Sequence, residues 1–492
     1  MAKRTYRIAV IGGGWSGCAA AVELARQGQH VSLFEAAPRL GGRARATKVH
    51  DHVVDNGQHI MLGAYRECLR LIQLVGIDPQ KAFLTLPLQM IYPASTINHG
   101  NDSQNNNHSG MHFIAPRLPA PWHLLVALWR AKGLSFADKM ALARFSTTAR
   151  WMGWTLHQDC SVSELLQRFE QTDHLCQLMW NPLCVAALNT PPERASAQVF
   201  LHVLRDSLGS SRAASDMLLP RLDLSALFPE AAANYIQARG GRSKTGAAVK
   251  SLTRHTHSSS TDSNSARWNL QLASGHQEEN EKNNKEGSVD SSGENSNEHS
   301  NDSQEFDAVV LATDIANTKR LLGTLPDIES NTHLPDFDYE AIITCYLQYP
   351  TEIRLSRAMF ALRDDPQQQR WGQYVFDRGY LHQDQAGLLA VVISASQVRD
   401  MGDHASIAAA VAQQLANSFG RIELSMPTWH KIISEKRATF SCHPSIVRPA
   451  NTTSLPDLML AGDYTQSDYP ATLEAAVRSG VTAATLLMQQ MK

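Results

Sequence analysis

The chain begins with a change of period. RIAVI (7–11) is an unbroken apolar run that ends in three glycines, Gly12 to Gly14. SGCAAAVELARQ (16–27) follows, with Glu23, Arg26 and Gln27 interrupting its apolar positions on a helical spacing, and Gly28 closes it. HVSLFEA (30–36) is apolar again. Short apolar runs bounded by turn signals predict strands buried on both faces, and the 3.6-residue spacing between them predicts a helix. Strand, glycine turn, helix and strand in this order make a parallel βαβ unit.

Farther along, LPLQMIY and MHFIAP predict two strands on either side of a polar tract, 95–110. Residues 120–235 predict mostly helices with Pro and Gly breaks. AAVKSL, RWNLQL (267–272) and FDAVVLAT predict a three-stranded antiparallel meander whose turns are lengthened by the tracts 256–266 and 274–305. Those three tracts are rich in Ser, Asn and His, bury little apolar surface, and predict disordered insertions in surface turns. AIITCYLQY, GQYVFDRGYL and GLLAVVISAS predict strands between 340 and 440, and ATLEAAVRSGVTAATLLMQQM predicts a terminal helix. The expected architecture is α/β. A Rossmann-like domain of residues 1–80, 235–325 and 440–492 carries an inserted α+β domain of 81–234 and 326–439.

Charge and cysteines narrow the picture. The formal net charge is −2, so nothing global points to nucleic acid. The 7 cysteines form no CxxC pair and no Cys/His cluster with metal spacing, so no metal is expected, and reduced thiols in the cytoplasm fit them. No apolar run approaches the roughly 20 residues of a spanning helix. Basic residues, an apolar run and Cys18 could also read as an export signal. Glu23, Arg26 and Gln27 break that run, and no separate mature start follows it.

The glycine turn carries chemistry. Gly12 permits the tight turn, Gly14 lets backbone approach a pyrophosphate, and Gly17 lets the helix pack against the strand. Trp15 and Ser16 open that helix, whose N-terminal N–H groups suit phosphates. Glu35, followed by Ala36, ends the second strand where an acid accepts hydrogen bonds from ribose hydroxyls. This pattern alone does not separate NAD from FAD. PRLGGRARA follows at once, and its Arg39, Gly42 and Arg43 suit a second approach to the diphosphate. VVDNGQHIMLGAY then places Gly57, Gln58 and His59 on a strand or turn leading back to the same place.

These residues resemble the flavin-containing amine oxidase and carotenoid desaturase superfamily. LMLAGDYTQSDYPATLEAAVRSG is similar to its closing FAD motif, and FDAVVLAT to its middle segment. The resemblance implies FAD, with Gly462 and Asp463 at the ribityl chain, and Ala471 and Thr472 at a helix N-terminus facing the flavin. It also implies cofactor contacts at Ala312, Thr313 and the backbone of Val249. No Cys follows Cys442, so the FAD is expected to be noncovalent. Tyr464 and Tyr469 flank the motif as candidates for ring contacts.

Within the superfamily, VDNGQHIMLGAY, YVFDRGYL, LLAVVISAS, EKRATFSCHP and GDYTQSDYPATLEAAVRSG resemble the hydroxysqualene dehydroxylases of bacterial hopanoid synthesis. The closing motif departs from that pattern where the family more often has Trp after Gly-Asp and Gly-Leu before Pro. The resemblance implies a long-chain isoprenoid substrate and replacement of the allylic hydroxyl of hydroxysqualene by hydrogen, giving squalene. It leaves the electron donor open, and it suggests other squalene-pathway enzymes as partners. His59 reads as the general acid or as a structural histidine bonded to backbone; Asp377 reads as a second acid or as a turn ion pair with Arg378. Lys436 and Arg437 read as flavin or lipid contacts or as solvated charges. A carotenoid-type desaturase, an amine oxidase and a non-catalytic flavin-bound lipid scaffold are the alternatives.

One segment stands apart. In PRLPAPWHLLVALWRAKGLSFADKMALARF (116–145), Trp122, Leu125, Leu128 and Trp129 make an apolar stripe beside Arg130, Lys132 and Lys139. It reads either as a core helix or as a monotopic helix lying on the inner face of the cytoplasmic membrane.

Overall fold

The computed structural model describes residues 4–94, 110–255, 268–273, 304–325, 334–396 and 402–491. Five parallel strands form one sheet, in the order Arg242–Lys244, His30–Phe34, Arg7–Ile11, Ala308–Leu311, Leu458–Leu460. Alternation explains how it is covered. Ile8, Val10, Val31, Leu33, Val310 and Met459 point into a cluster with the helices Trp15–Arg26, Pro229–Gln237 and Leu473–Gln490. Ala9, Ile11, Phe34, Val309, Leu311 and Leu460 point the other way, onto Leu252, Trp268, Leu270 and Phe306. Those four belong to the antiparallel meander Val249–Arg254, Trp268–Leu272, Gln304–Phe306. Both sheet faces are therefore dry, which is why its strands read as continuous apolar runs. The fold class is α/β.

The closing helix lies against the first one. A Cβ on Gly480 would meet the Ser16 backbone oxygen at 2.1 Å, so only glycine allows this approach. Chain order is thus discontinuous in space: strands from residues 7, 308 and 458 are neighbours.

A second sheet is antiparallel, in the order Met359–Ala361, Tyr374–Asp377, Leu388–Ser396, Tyr339–Gln348, Trp429–Phe440. Ile343, Cys345, Leu347, Val375 and Val391 pack on Ile407, Val411 and Leu415 of the helix His404–Phe419. That helix lies in a region expected to be strands. Tyr346, Phe376, Ala390 and Val392 face the other way, into a cluster with the helices between 122 and 208.

One boundary differs from expectation. Leu224, Leu227, Phe228 and Ala232 pack with the parallel sheet, so the chain returns to that layer before residue 235. The tracts 95–110, 256–266 and 274–305 lie outside the described residues, apart from Gly110 and the strand residues Gln304 and Glu305. The strands flanking the first tract pair as Gln89–Ile91 with His112–Ile114.

Candidate functional site

A cavity of about 630 Å³ opens where the two sheets meet. Its first wall is the glycine turn. The helix Trp15–Arg26 starts at Gly14 with no side chain capping it, so its first N–H groups remain available. Gly17 does not line the cavity; its absent Cβ would meet the Gly12 carbonyl oxygen at 1.8 Å, which fixes the helix against the turn. Gly42, at φ +62°, lies over Gly14: a Cβ there would sit 3.1 Å from the Gly14 Cα. The LGGR turn and the first glycine turn are therefore stacked backbone on backbone, joined by Gly41 N–H donating to Gly13 O at 2.8 Å.

Glu35 stands at the end of the second strand. Its two oxygens accept from Gly13 N–H at 2.6 Å and Ala37 N–H at 2.8 Å. These bonds fix the carboxylate at the cavity wall and leave further lone pairs for a ligand. Ala36, Val249, Ala312 and Thr313 complete this end of the wall. Val249 is tied in place by Arg320, which donates to its carbonyl at 3.0 Å and also lines the cavity.

Arg43 spans three distant segments. It donates to Asp463 Oδ2 at 2.7 Å and to the carbonyl of Ala438 at 2.7 Å. The adjacent Asp463 carboxylate raises the guanidinium's pKa further. Arg448 holds the same loop from behind, donating to the carbonyls of Asp463, Ser467 and Tyr469. Gly462, Asp463, Ala471 and Thr472 line the cavity, and Thr472 caps the closing helix by accepting from Ala475 N–H. Two helix N-termini thus open on one space, at Trp15 and at Leu473.

His59 lines the cavity with Gly57 and Gln58. Its Nδ1 donates to the Gly57 carbonyl at 2.6 Å, since a carbonyl only accepts, and this leaves Nε2 as the acceptor. Burial lowers the imidazole pKa, with the Gly57 bond opposing it more weakly. Gln58 is clamped by Arg378, whose Nη1 donates to Gln58 Oε1 at 2.6 Å. Behind it Asp55 is buried, and burial pushes its carboxyl up to about 7 despite Arg378 nearby.

The far wall is apolar: Ile60, Ala186, Ala187, Ile342, Tyr374, Phe376 and Val392. Asn189 anchors it. In a left-handed conformation at the end of the helix Asn181–Leu188, it donates to Thr439 Oγ1 at 2.9 Å and accepts from Ala395 N–H at 2.7 Å. One side chain therefore fastens a helix to two strands of the antiparallel sheet.

Some expected site residues lie elsewhere. Asp377 is fully buried away from the cavity, bonded to Arg354 at 3.2 Å and to the N–H groups of Leu355 and Gly379. It shapes a turn, and its ion pair is with Arg354 rather than Arg378. Arg39 does not line the cavity. Tyr464 bonds Thr318 and Tyr469 bonds Asp206, both outside it. Neither Lys436 nor Arg437 lines it; Arg437 lies over the Tyr339 ring. Asn56, Arg45, Arg320, Asn189 and Tyr374 line it without having been singled out. For Tyr374 and Phe376 the signal was present, as alternation along one strand. A larger, open hollow of about 870 Å³ beside Arg448 and Arg478 contains, of the expected site residues, Tyr469 alone.

The cavity fits a dinucleotide. Ser16 Oγ is buried at the first helix's N-terminus and has no partner among the described residues. A Cβ on Gly14 would meet nothing closer than 3.9 Å, so that backbone is open to a ligand. Glu35, two helix N-termini and three lining arginines are the donors and acceptors that ribose and phosphate need.

Comparison with known proteins agrees. The family model for flavin containing amine oxidoreductases matches residues 15–488. A hydroxysqualene dehydroxylase of Rhodopseudomonas palustris is 26% identical over 97% of both chains. One from Zymomonas mobilis is 24% identical over 97% of this chain and 98% of its own. Among solved structures, cyclohexylamine oxidase from Brevibacterium oxydans superimposes with a TM-score of 0.61 over 99% of this chain and 100% of its own, at 14% identity.

Proposed function

The chain belongs to the flavin containing amine oxidoreductase family and is an FAD-dependent oxidoreductase, and on that premise we propose that it is a hydroxysqualene dehydroxylase. The observation that carries this is one cavity with a nucleotide-binding end and a long apolar wall, and with His59 on its lining.

In this reading Gly12, Gly14, Trp15, Ser16 and Gly42 hold the diphosphate, and Glu35 and Ala36 the ribose end. Ala312, Thr313 and Val249 enclose the adenine end, and Gly462, Asp463, Ala471 and Thr472 the flavin end. Arg43 screens the diphosphate while braced on Asp463. Gly17 acts at one remove, by seating the helix. FAD, bound noncovalently, supplies two-electron redox chemistry and, once reduced, a hydride.

The substrate is a long isoprenoid alcohol. Ile60, Ala186, Ala187, Ile342 and Val392 exclude water from its chain. Loss of an allylic hydroxyl leaves positive charge on carbon, and the ring faces of Tyr374 and Phe376 stabilise it by about 0.5–2 kcal/mol each. The departing hydroxyl needs a proton. His59 delivers it from Nε2 in the fraction of molecules where the ring is protonated, while Nδ1–H stays on Gly57. All seven cysteines are free thiols and six are buried, which supports a reducing cytoplasmic compartment.

The test is reconstitution: purified protein with bound FAD, hydroxysqualene and a flavin reductant, with squalene sought by mass. Bound FAD confirmed by absorbance with no squalene formed would overturn the reading.

A further inference from the structure

Two consecutive helices present apolar side chains to solvent. On Trp122–Arg130 the exposed large residues are Trp122, Leu125 and Trp129, at i, i+3 and i+7. On Phe136–Trp151 they are Phe136, Met140 and Trp151, at i, i+4 and i+15. Each set lies on one face of its helix. Trp129, Phe136 and Trp151 are 79%, 79% and 88% exposed. The opposite faces are apolar too: Ala127, Ala141, Leu142, Phe145 and Ala149 are buried in the cluster that also holds Tyr374, Phe376 and Val392 of the cavity wall. The hairpin is thus hydrophobic inward, as any surface helix is, and also outward, which a water-facing helix is not. Lys139 Nζ donates to the carbonyl of Trp129 at 3.0 Å, a link across the turn between the two helices.

Charge says what covers this face. Between 117 and 151 there are six cations, Arg117, Arg130, Lys132, Lys139, Arg144 and Arg150, and one acid, Asp138. Asp138 is turned inward, accepting from Ser135 N–H, Thr172 Oγ1 and His174 Nδ1. Among the described residues, Glu170 pairs with one of these cations, Arg144, at 3.1 Å. A chain with net charge −2 thus concentrates positive charge around its exposed tryptophans.

We propose that the outer face of the 122–151 hairpin docks on an anionic lipid bilayer, with Trp122, Trp129, Phe136 and Trp151 at the headgroup–acyl boundary and the arginines and lysines on the phosphates. No helix among the described residues is long and apolar enough to cross a membrane, so the contact is peripheral. Aromatic residues favour that boundary because one end of each ring system is apolar and the other tolerates water. The proposal stands on the surface alone and does not depend on the reaction proposed above.

Vesicle co-sedimentation tests it, using the FAD-loaded protein and no turnover. Vesicles with about 30% phosphatidylglycerol should bind the protein, pure phosphatidylcholine should bind it more weakly, and the preference should shrink from about 0.1 to 0.5 M salt. Trp122→Ser/Trp129→Ser/Trp151→Ser should weaken binding at least about tenfold while leaving bound FAD and melting temperature unchanged. In the wild-type chain, bromine-labelled lipid should quench tryptophan emission, which needs no variant. No binding to either vesicle, no quenching, or binding unaffected by the triple substitution would overturn the proposal. So would self-association of the wild-type chain without lipid that the triple substitution abolishes, since the face would then serve a second copy. A protein that binds vesicles but yields no squalene would leave this proposal standing and remove the other.

Discussion

Arg43 Nη2 and Asp463 Oδ2 meet at 2.7 Å although 420 residues separate them in the chain. The pair closes the ring of segments around the cavity, joining the LGGR turn to the Gly-Asp loop that precedes the closing helix. The Arg43 side chain is half-exposed, so its ion pair adds little to stability; in the proposed reading its role is in cofactor affinity. Arg43→Ala should fold with a nearly unchanged melting temperature and bind FAD about 10–100-fold more weakly, read by fluorescence titration of the apoprotein. Tight FAD binding in this variant would remove Arg43 from the cofactor site.

The glycines of the turn should separate by what surrounds them. At Gly17 a methyl group would sit 1.8 Å from the Gly12 carbonyl oxygen, and backbone must move to admit it. Gly17→Ala should therefore lose about 2–4 kcal/mol of stability together with FAD. At Gly14 a methyl group meets nothing closer than 3.9 Å. Gly14→Ala should melt like the parent apoprotein yet bind FAD poorly, because the methyl enters the space of the diphosphate. Equal losses of stability in the two variants would contradict this geometry.

His59 should set the pH profile. Burial lowers its pKa, so the imidazolium that donates a proton accumulates only below the usual histidine range. The rate of dehydroxylation, as kcat/KM, should rise as pH falls from 8 towards 5 and level off below the lowered pKa. His59→Ala should flatten that rise and lose about 10²–10⁴ in rate, with FAD still bound. Full turnover by His59→Ala, or a profile it leaves unaltered, would end its candidacy as the acid.

Asp55 should make stability fall with pH. Its carboxyl titrates at about 7 in the folded chain because of burial, well above the ~3.9 of an unfolded aspartate. The folded state therefore holds the extra proton between these values, and stability is lost as pH rises through that window. Asp55→Asn keeps an acceptor for Leu224 N–H, which lies at 2.8 Å, and cannot ionise. Relative to the parent, the variant should gain roughly 3 kcal/mol on going from pH 5 to pH 8 in urea unfolding. A pH-independent difference between the two proteins would show that Asp55 ionises normally.

The sequence by itself determined what is local or repeats along the chain. The strand at Arg7–Ile11, its glycine turn and the helix at Trp15–Arg26 are legible because a doubly buried strand is uniformly apolar and a helix repeats every 3.6 residues. Glu35 and the LGGR turn, which the structure brings to the glycine turn, are legible because so close an approach of backbone to backbone restricts which residues fit there. Two strands of the meander were legible in AAVKSL and RWNLQL, but FDAVVLAT, read as the third, contributes only Phe306: Ala308–Leu311 pairs in parallel with Arg7–Ile11, and the third strand is Gln304–Phe306, largely inside the tract expected to be an insertion. The helix His404–Phe419 was missed because, packed along one side of a sheet, its alanine-rich sequence reads as an apolar run like the strands around it.

Tertiary structure alone decided which of these segments meet. Arg378 was read as the partner of Asp377, its chain neighbour, but the strand and turn that carry them point the two side chains apart. Asp377 pairs with Arg354, while Arg378 reaches Gln58, 320 positions away in the chain. Asn189 carried no sequence signal for the site, because its role comes from bonds to Thr439 and Ala395 on two strands more than 200 residues downstream. The two readings of the 116–145 segment turn on which helix face the core consumed: Ala127 and Phe145 went inward, and Trp129 and Phe136 remained outside. Periodicity reports that a helix has an apolar face. Which face is buried depends on where the rest of the chain lies, and that is fixed by packing between segments far apart in sequence.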